Sequence, residues 1–292
     1  MIDRLAIALA AALALVAASQ APAFWQSRDS NFNIVAGGGT PPPPTSYTPQ
    51  GVSFSANAWA KKTTALGVTD GVSGLASFWI KITSAAGSQR TILNTGNSAA
   101  LSGFTLYASA STGPRCNGWN AASVQVLRVA DLLDTVTGAT AWSHVLCSWN
   151  AATGRGHVYF NDIDRTDTAS LLLNNTNTLF NGASPVVGAD STGTSSLYGN
   201  NVADVQVWFN VDVDLATTAN RRLFLTAGGG AVNPATAAAS SLGTPHILLC
   251  SSAASGICAG NVSGWISNKG STGGFTLQAG SISAAADNPP GS

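Results

Sequence analysis

From about residue 51 the sequence repeats one pattern, in which a short apolar run is followed by a cluster of Gly, Asn, Ser and Thr. In the run LASFWIKIT, the residues Phe78, Ile80 and Ile82 fall on one face of an extended chain, which is the period-two pattern of a β-strand. Similar runs include RTILNTG, GFTLYAS, SVQVLRVA, WSHVLCSW and ADVQVWFN. Strands that recur at short spacing with turn signals favour an antiparallel sandwich or jelly roll over a parallel α/β sheet.

One segment has the pattern of a helix instead. Asp214 can N-cap LATTANRRLFLTA, and Gly228 stands where that helix would end. Leu215 and Phe224 would be its buried contacts. The sequence therefore predicts an all-β, two-sheet antiparallel jelly-roll sandwich with one short C-terminal helix.

The N-terminus has the layout of a secretory signal peptide. Arg4 precedes the apolar run Leu5–Ala18, and Ala21-Pro22-Ala23 fits an A-x-A cleavage site. The run is shorter than the ~20 residues that a transmembrane helix needs, although an uncleaved anchor is the alternative. We expect residues 1–23 to be cleaved and the protein to be secreted or periplasmic, with no membrane partner afterwards.

The remaining boundaries follow from composition. Residues 24–50 contain a Gly run and the polyproline stretch Pro41–Pro44, which indicate a linker or arm. We place the main domain at 51–230. Residues 231–292 form a C-terminal extension that becomes strand-like again in PHILLC, GWISNKG and GGFTLQAGSI, which predicts further strands of the same sandwich.

The charged residues restrict the chemistry. All 13 acidic residues are aspartates, so a mechanism that needs a Glu acid, base or nucleophile is excluded. The 13 basic residues are scattered, and we expect no nucleic-acid partner. Asp162 and Asp164 would share a face of a strand, which leaves a polysaccharide hydrolase as the least favoured alternative, because Asn161-Asp162 is typical of a turn.

Few residues indicate a metal site or a catalytic nucleophile. The chain has no G-x-S-x-G elbow, and His144 and Cys147 lie on opposite faces of a strand. The histidines are best interpreted as hydrogen-bonded sheet residues. No cofactor is required by the sequence, and Asp190, after VVG, is the candidate ligand for a calcium ion.

Export makes disulfides possible, and the chain has four cysteines. Cys250 and Cys258 are close in sequence, and we expect them to close a loop. Cys116 and Cys147 are then the second pair, although spacing alone leaves the connectivity open.

Carbohydrate binding is the remaining chemistry with a physical basis, since sugars stack on aromatic rings while amides bind their hydroxyls. Trp119, in RCNGWNAAS, sits among turn residues, and we expect it to be more exposed than Trp79 or Trp142. Tyr198, in SLYGNN, has a similar setting. The ligand-binding candidates are Trp119, Asn117, Tyr198 and Asn200.

The stretch AWSHVLCSWNAATGRGHVYFNDIDR resembles the signature hairpin of laminin-G-like, concanavalin A-like domains. The matching residues are Trp142, His144, Val145, Trp149, Asn150, Gly154 or Gly156, Tyr159 and Asn161, with Asp162 where the family has a glycine. A downstream match follows through Gly188, Gly199, Asp204, Val205, Val207 and Trp208, with Tyr198 at an aromatic position that is often structural. The resemblance spans about residues 51–228. It implies a concanavalin A-like fold and is less specific for function.

The resemblance and the missing glutamates together predict a non-catalytic, exported recognition module for a glycan or a cell-surface polysaccharide. The end of the chain also resembles C-terminal extensions of bacterial and prophage-encoded proteins. A structural or adhesion component of a virion or cell-surface assembly is therefore the alternative, with self-association or virion proteins as partners.

Overall fold

The structure, a computed structural model, describes residues 47–83, 90–96, 103–108, 113–130, 141–190, 192–193, 198–253 and 256–292. The predicted signal peptide and the arm up to residue 46 lie outside the described residues. Within the described part of the chain, no helix is long and apolar enough to cross a bilayer.

Sixteen β-strands lie within the described residues. They are β1 (Val52–Phe54), β2 (Trp59–Lys61), β3 (Ser73–Lys81), β4 (Arg90–Asn94), β5 (Gly103–Ala108), β6 (Arg115–Trp119), β7 (Gln125–Ala130), β8 (Ser143–Asn150), β9 (Arg155–Phe160), β10 (Ile163–Asp164), β11 (Leu172–Leu173), β12 (Val186–Val187), β13 (Asn201–Phe209), β14 (Ile247–Leu249), β15 (Thr276–Ala279) and β16 (Ile282–Ala284). Sheet 1 has the order β10-β9-β8-β3-β13-β1-β16, with β14 also paired to β13. Sheet 2 has the order β11-β7-β6-β5-β4-β12-β2-β15. The predicted two-sheet antiparallel jelly roll is confirmed.

The main core lies between the two sheets. Phe78, Ile80 and Ile82 face it from sheet 1, as the alternation in the sequence predicts. Trp149 of β8 reaches across to sheet 2 and stacks on Phe104, with 4.8 Å between the ring centroids. These aromatic contacts hold the two layers together.

The outer side of sheet 1 is buried as well. Leu75, Leu146 and Trp208 point away from the main core and pack against Leu215 and Phe224 from the segment after β13. This segment forms a third layer. It explains why the interior of β3 is buried without alternation, because side chains on both of its faces are covered.

The predicted helix after Asp214 is much shorter than expected. Helix α1 spans only Thr218–Arg221, and Asp214 accepts a hydrogen bond from Ala216 N ahead of it. The chain then leaves the helix, because Leu225 forms an antiparallel bridge with Ala231. The segment is instead fixed by this short local bridge and by the packing of Leu215 and Phe224 against sheet 1, which override the helical pattern.

Two further helical turns lie in the C-terminal segment, so the prediction of a single helix was wrong. Helix α2 spans Pro234–Ala239, and a 3₁₀ helix spans Val262–Ser267. Asn233 accepts from Ala235 N, and Pro234 occupies the first helical position, which is a recognised start signal. The Ala-rich composition concealed this signal. The same segment adds β14 and β16 to sheet 1 and β15 to sheet 2.

The chain contains two disulfides. Cys116 of β6 is joined to Cys147 of β8, so this bond connects the two sheets. Cys250 and Cys258 close a short loop. No cysteine is left free.

Tyr47, at the start of the described chain, is anchored on a buried carboxyl group. Its hydroxyl lies 2.9 and 2.8 Å from the two carboxylate oxygens of Asp204, which is 1% exposed. Asp204 has a φ of 47° and sits where the pairing register between β13 and β3 shifts. Burial raises the pKa of Asp204 to about 7, although the hydrogen bond from Tyr47 opposes the shift.

Asp204 makes the protein less stable as the pH rises. The pKa of Asp204 is higher in the folded state than in the unfolded state, so its protonation stabilises the folded state. This contribution to the free energy of unfolding is at most ~4 kcal/mol; it is fully present below pH ~4 and is lost as the pH rises to ~7. We expect Asp204→Asn to remove this dependence, so that wild type gains stability relative to the variant from pH 8 to pH 5. Urea unfolding of both proteins across this range measures the difference.

Burial lowers the pKa of His144 to about 3, so this residue makes the protein less stable as the pH falls. His144 is present in both proteins, so its effect cancels when they are compared. Stability curves that run parallel for wild type and Asp204→Asn would contradict the assignment.

Candidate functional site

The outer face of sheet 2 carries a row of polar side chains. Residues directly opposite in antiparallel strands point to the same side of a sheet. Arg128 of β7 is opposite Asn117 of β6, Asn117 is opposite Thr105 of β5, and Thr105 is opposite Asn94 of β4. Their neighbours along each strand, such as Leu106 and Cys116, face the main core.

A second row runs beside the first. Arg115 of β6 is opposite Tyr107 of β5, which is opposite Thr91 of β4. Trp119 follows two residues after Asn117 on the same face. We call this set the polar face, and its members are Thr91, Asn94, Thr105, Tyr107, Arg115, Asn117, Trp119 and Arg128.

The floor of the polar face is buried, yet several of its polar atoms have no partner. Asn117 is 4% exposed and Thr91 is fully buried. Among the described residues, neither Asn117 Oδ1 nor Thr91 Oγ1 has a hydrogen-bond partner, and the Nε of Arg115 is buried without one. Eleven buried side-chain atoms of this kind lie among the described residues, and these three lie together on one face, where a water molecule or a ligand would satisfy them.

The electrostatics of the polar face are set by two arginines. Burial, and then the charge of Arg128, lower the pKa of Arg115, which stays protonated at neutral pH as arginine does. Arg128 donates from Nη2 to Gln125 Oε1 at 2.9 Å. Burial raises the pKa of Tyr107, while its hydrogen bond with Thr105 and the charge of Arg115 act against that shift. The face therefore combines cationic donors, a neutral phenol and free acceptors.

Two of the predicted ligand-binding residues, Trp119 and Asn117, lie together on the polar face. Trp119 is 8% exposed, which is more than Trp79 at 3% but not more than Trp142 at 9%, so the prediction of a more exposed Trp119 holds against Trp79 alone and all three rings are buried. The reason for the burial of Trp119 is its position in β6, where its backbone oxygen accepts from Leu179 N. It is a strand residue, whereas the sequence suggested a loop.

The other two predicted residues lie elsewhere. Tyr198 is fully buried in the main core, packs edge-on against Phe54, and donates its hydroxyl to the carbonyl of Asn201. Asn200 Nδ2 donates to the carbonyl of Tyr198, and its Oδ1 accepts from Thr83 N. Both side chains support the fold around β13 and present no surface to a ligand.

Asp190 lies close enough to the polar face for its charge to raise the pKa of Tyr107. Its Oδ1 accepts from the backbone N and the hydroxyl of Thr192. Calcium binding by Asp190 remains a prediction. The group of potential metal ligands found among the described residues consists of Asp204, Cys250 and Cys258, but these sulfurs form a disulfide and do not bind a metal.

The histidines and aspartates of the signature hairpin do not form a reactive cluster. His144 is buried, its Nε2 lies 2.9 Å from Ser77 Oγ, and burial keeps it neutral. Asn161 and Asp162 both have positive φ and link β9 to β10 as a two-residue type I′ turn. The hydrogen bond from Arg222, with support from Arg221, lowers the pKa of Asp162 and ties the turn to the third layer.

Asp164 has other partners than Asp162, which is bound by Arg221 and Arg222. Its carboxylate accepts from Thr166 and lies 3.3 Å from His157. The two aspartates of the hydrolase alternative are thus engaged with different partners.

A concavity of about 520 Å³ lies on the opposite side of the sandwich from the polar face. It is lined by Trp79, Trp142, the Asn161-Asp162 turn, Leu225–Gly229 and Pro290. The two tryptophans are almost fully buried, and Trp142 Nε1 already donates to Asp287. Its aromatic surface is therefore largely used by the fold.

Arg115 and Arg128 were not among the predicted ligand-binding residues. A signal was present in the alternation of RCNGW and in the arginine that interrupts the apolar run SVQVLRVA. An arginine inside an otherwise apolar strand marks the outward face of that strand. What the sequence could not show is that these two strands are neighbours.

Comparisons with solved structures agree with the fold. A candidate carbohydrate-binding protein from Bacteroides ovatus superposes with a TM-score of 0.50 at 15% identity, over 83% of this chain and 62% of that one. The chain thus spans less than two thirds of that relative. A heptameric SAP-like pentraxin from Limulus polyphemus gives 0.44 at 12% identity, covering 82% and 95%. Domains LG4-5 of the mouse laminin α1 chain give 0.38 at 10% identity, covering 55% and 41%.

No protein-family model matches the sequence, and no curated protein matches it either. The structural likeness at this level of identity concerns the fold.

Proposed function

We propose that this protein is a non-catalytic carbohydrate-binding module and that the polar face of sheet 2 is its binding surface. The observation that carries the proposal is the set of buried, unpartnered polar atoms on one face, namely Asn117 Oδ1, Thr91 Oγ1 and Arg115 Nε. Sugar hydroxyls both donate and accept, so a glycan satisfies such a mixed set. Trp119 and Tyr107, each 8% exposed, lie on the same face.

The comparison with the Bacteroides ovatus protein supports this proposal, since that structure carries a carbohydrate-binding description and shares the fold. The two disulfides support an exported protein, because such bonds persist in oxidising compartments. A glycan or polysaccharide at a cell surface is the partner that fits both carbohydrate binding and export.

A glycan array probed at high protein density, with and without calcium, tests the proposal. We expect binding to a defined set of glycans, and Asn117→Ala should weaken it about tenfold, because a sugar hydroxyl loses its acceptor. The matched control is Asn174→Ala, which removes an exposed asparagine outside the polar face. A calcium requirement would support the role predicted for Asp190.

If the protein binds no glycan on the array, either with or without calcium, carbohydrate binding is rejected. The assembly-component alternative would then require a stable oligomer that depends on residues 24–50, which size-exclusion chromatography detects. In the described part of the chain, the exposed large hydrophobic residues are Val124, Ile163 and Leu277. Val124 lies next to β7, Ile163 on β10 and Leu277 on β15. They form no continuous patch that would favour this alternative.

A further inference from the structure

Arg115 and Arg128 stand apart from the other arginines whose contacts are known. Arg155 pairs with Asp212, and Arg221 and Arg222 pair with Asp162. Neither Arg115 nor Arg128 forms an ion pair with a carboxylate of the described residues. Within the described part of the chain, the polar face thus carries two guanidinium groups that form no ion pair.

The pairing register places these two charges close together. Arg115 is opposite Ala130, and Arg128 is two residues before Ala130 on the same strand. Such diagonal neighbours are roughly 7–8 Å apart, within reach of long side chains. Each charge raises the energy of the other, and the effect is stronger because the groups are partly buried.

We propose that the polar face selects acidic sugars and that Arg115 and Arg128 bind the ligand's carboxylate. This inference rests on the proposed carbohydrate-binding function and adds the ligand class. A carboxylate between the two arginines relieves their repulsion, and the planar guanidinium matches its geometry through paired hydrogen bonds.

The neighbouring groups account for the sugar part of the ligand. Asn117 is opposite Arg128 and offers an unpartnered Oδ1, which accepts from a hydroxyl. Tyr107 is opposite Arg115 and stays protonated, because burial raises its pKa. Donors for an anion and acceptors for hydroxyls thus alternate on adjacent strands, as a carboxylated sugar requires and a simple inorganic anion does not.

The test compares a polyuronate with the same polymer after its carboxyl groups have been reduced to alcohols. The full chain with its disulfides intact is titrated with each polymer by calorimetry. We expect the reduced polymer to bind at least tenfold more weakly. A sulfated neutral polymer serves as a third ligand, and binding equal to that of the polyuronate would overturn the carboxylate assignment.

Three variants separate the site from general charge. Arg115→Gln and Arg128→Gln should each weaken polyuronate binding about tenfold, and added salt should reduce the wild-type affinity more than theirs. Arg155→Gln removes the same charge from sheet 1, and its affinity should stay within twofold of wild type. Thermal unfolding of each variant shows that it is folded before its affinity is compared.

The possible failures are distinguishable. Equal binding of the polyuronate and its reduced form, or equal losses in Arg155→Gln and Arg115→Gln, would overturn the acidic-sugar inference and leave carbohydrate binding standing. A protein that binds neither polymer and no glycan on the array would overturn both.

Discussion

Replacing Trp149 with alanine is expected to lower the free energy of unfolding by about 3–5 kcal/mol. Trp149 is 1% exposed, stacks on Phe104 of the opposite sheet, and lies against Gly74 of β3. A Cβ on Gly74 would come within 2.4 Å of the indole, so the neighbouring strand is shaped to this ring. Urea unfolding monitored by circular dichroism measures the loss.

Trp149→Phe is the informative comparison. The indole Nε1 is buried without a hydrogen-bond partner, so phenylalanine keeps an aromatic ring and removes an unsatisfied donor. We expect this variant to lose about 1 kcal/mol. Val124→Ala, at a side chain that is 55% exposed, should change stability by less than about 0.5 kcal/mol. A loss as large in Trp149→Phe as in Trp149→Ala would mean that the indole shape, rather than the aromatic bulk, determines the packing.

Removal of the inter-sheet disulfide by changing both Cys116 and Cys147 to alanine is the second large effect. The bond closes a separation of 31 residues, for which chain entropy predicts a loss of about 4 kcal/mol. Because Cys116 lies between Arg115 and Asn117, we also expect weaker glycan binding. Unfolding and polyuronate titration of the same sample report both changes.

The second disulfide supplies a matched control. Cys250 and Cys258 are equally buried but only eight residues apart, so the corresponding double alanine variant should lose about 2.5 kcal/mol and keep its glycan affinity. An equal or greater loss in this variant would contradict the loop-length account. Equal glycan affinity in wild type and the Cys116/Cys147 variant would show that the polar face does not depend on this bond.

The sequence was most informative where local pattern and long-range packing agree. The alternation through Phe78, Ile80 and Ile82 identified a strand and its core face. It was misleading after Asp214, where the packing of Leu215 and Phe224 on sheet 1 and the bridge between Leu225 and Ala231 replace most of the helical pattern. The local preference there is worth only tenths of a kcal/mol per residue, which tertiary contacts readily outweigh.

The candidate site was only partly predictable for a related reason. Asn117 and Trp119 were chosen from their loop-like context, yet they share a face because β6 is a strand. Arg128 joins them only through the register between β6 and β7. A register is set by the whole sheet, so no single stretch of sequence contains the site.

The C-terminal strands have a consequence for how the chain reaches its folded state. β16 pairs with β1, with Val52 opposite Ala284, and β15 forms the edge of sheet 2. Each sheet thus lacks an edge strand until about residue 284 has been synthesised, and contacts of such long sequence separation form slowly. Both sheets therefore stay incomplete for nearly the whole of the chain's synthesis, and their edges at β1 and β2 stay unpaired until the last residues are made.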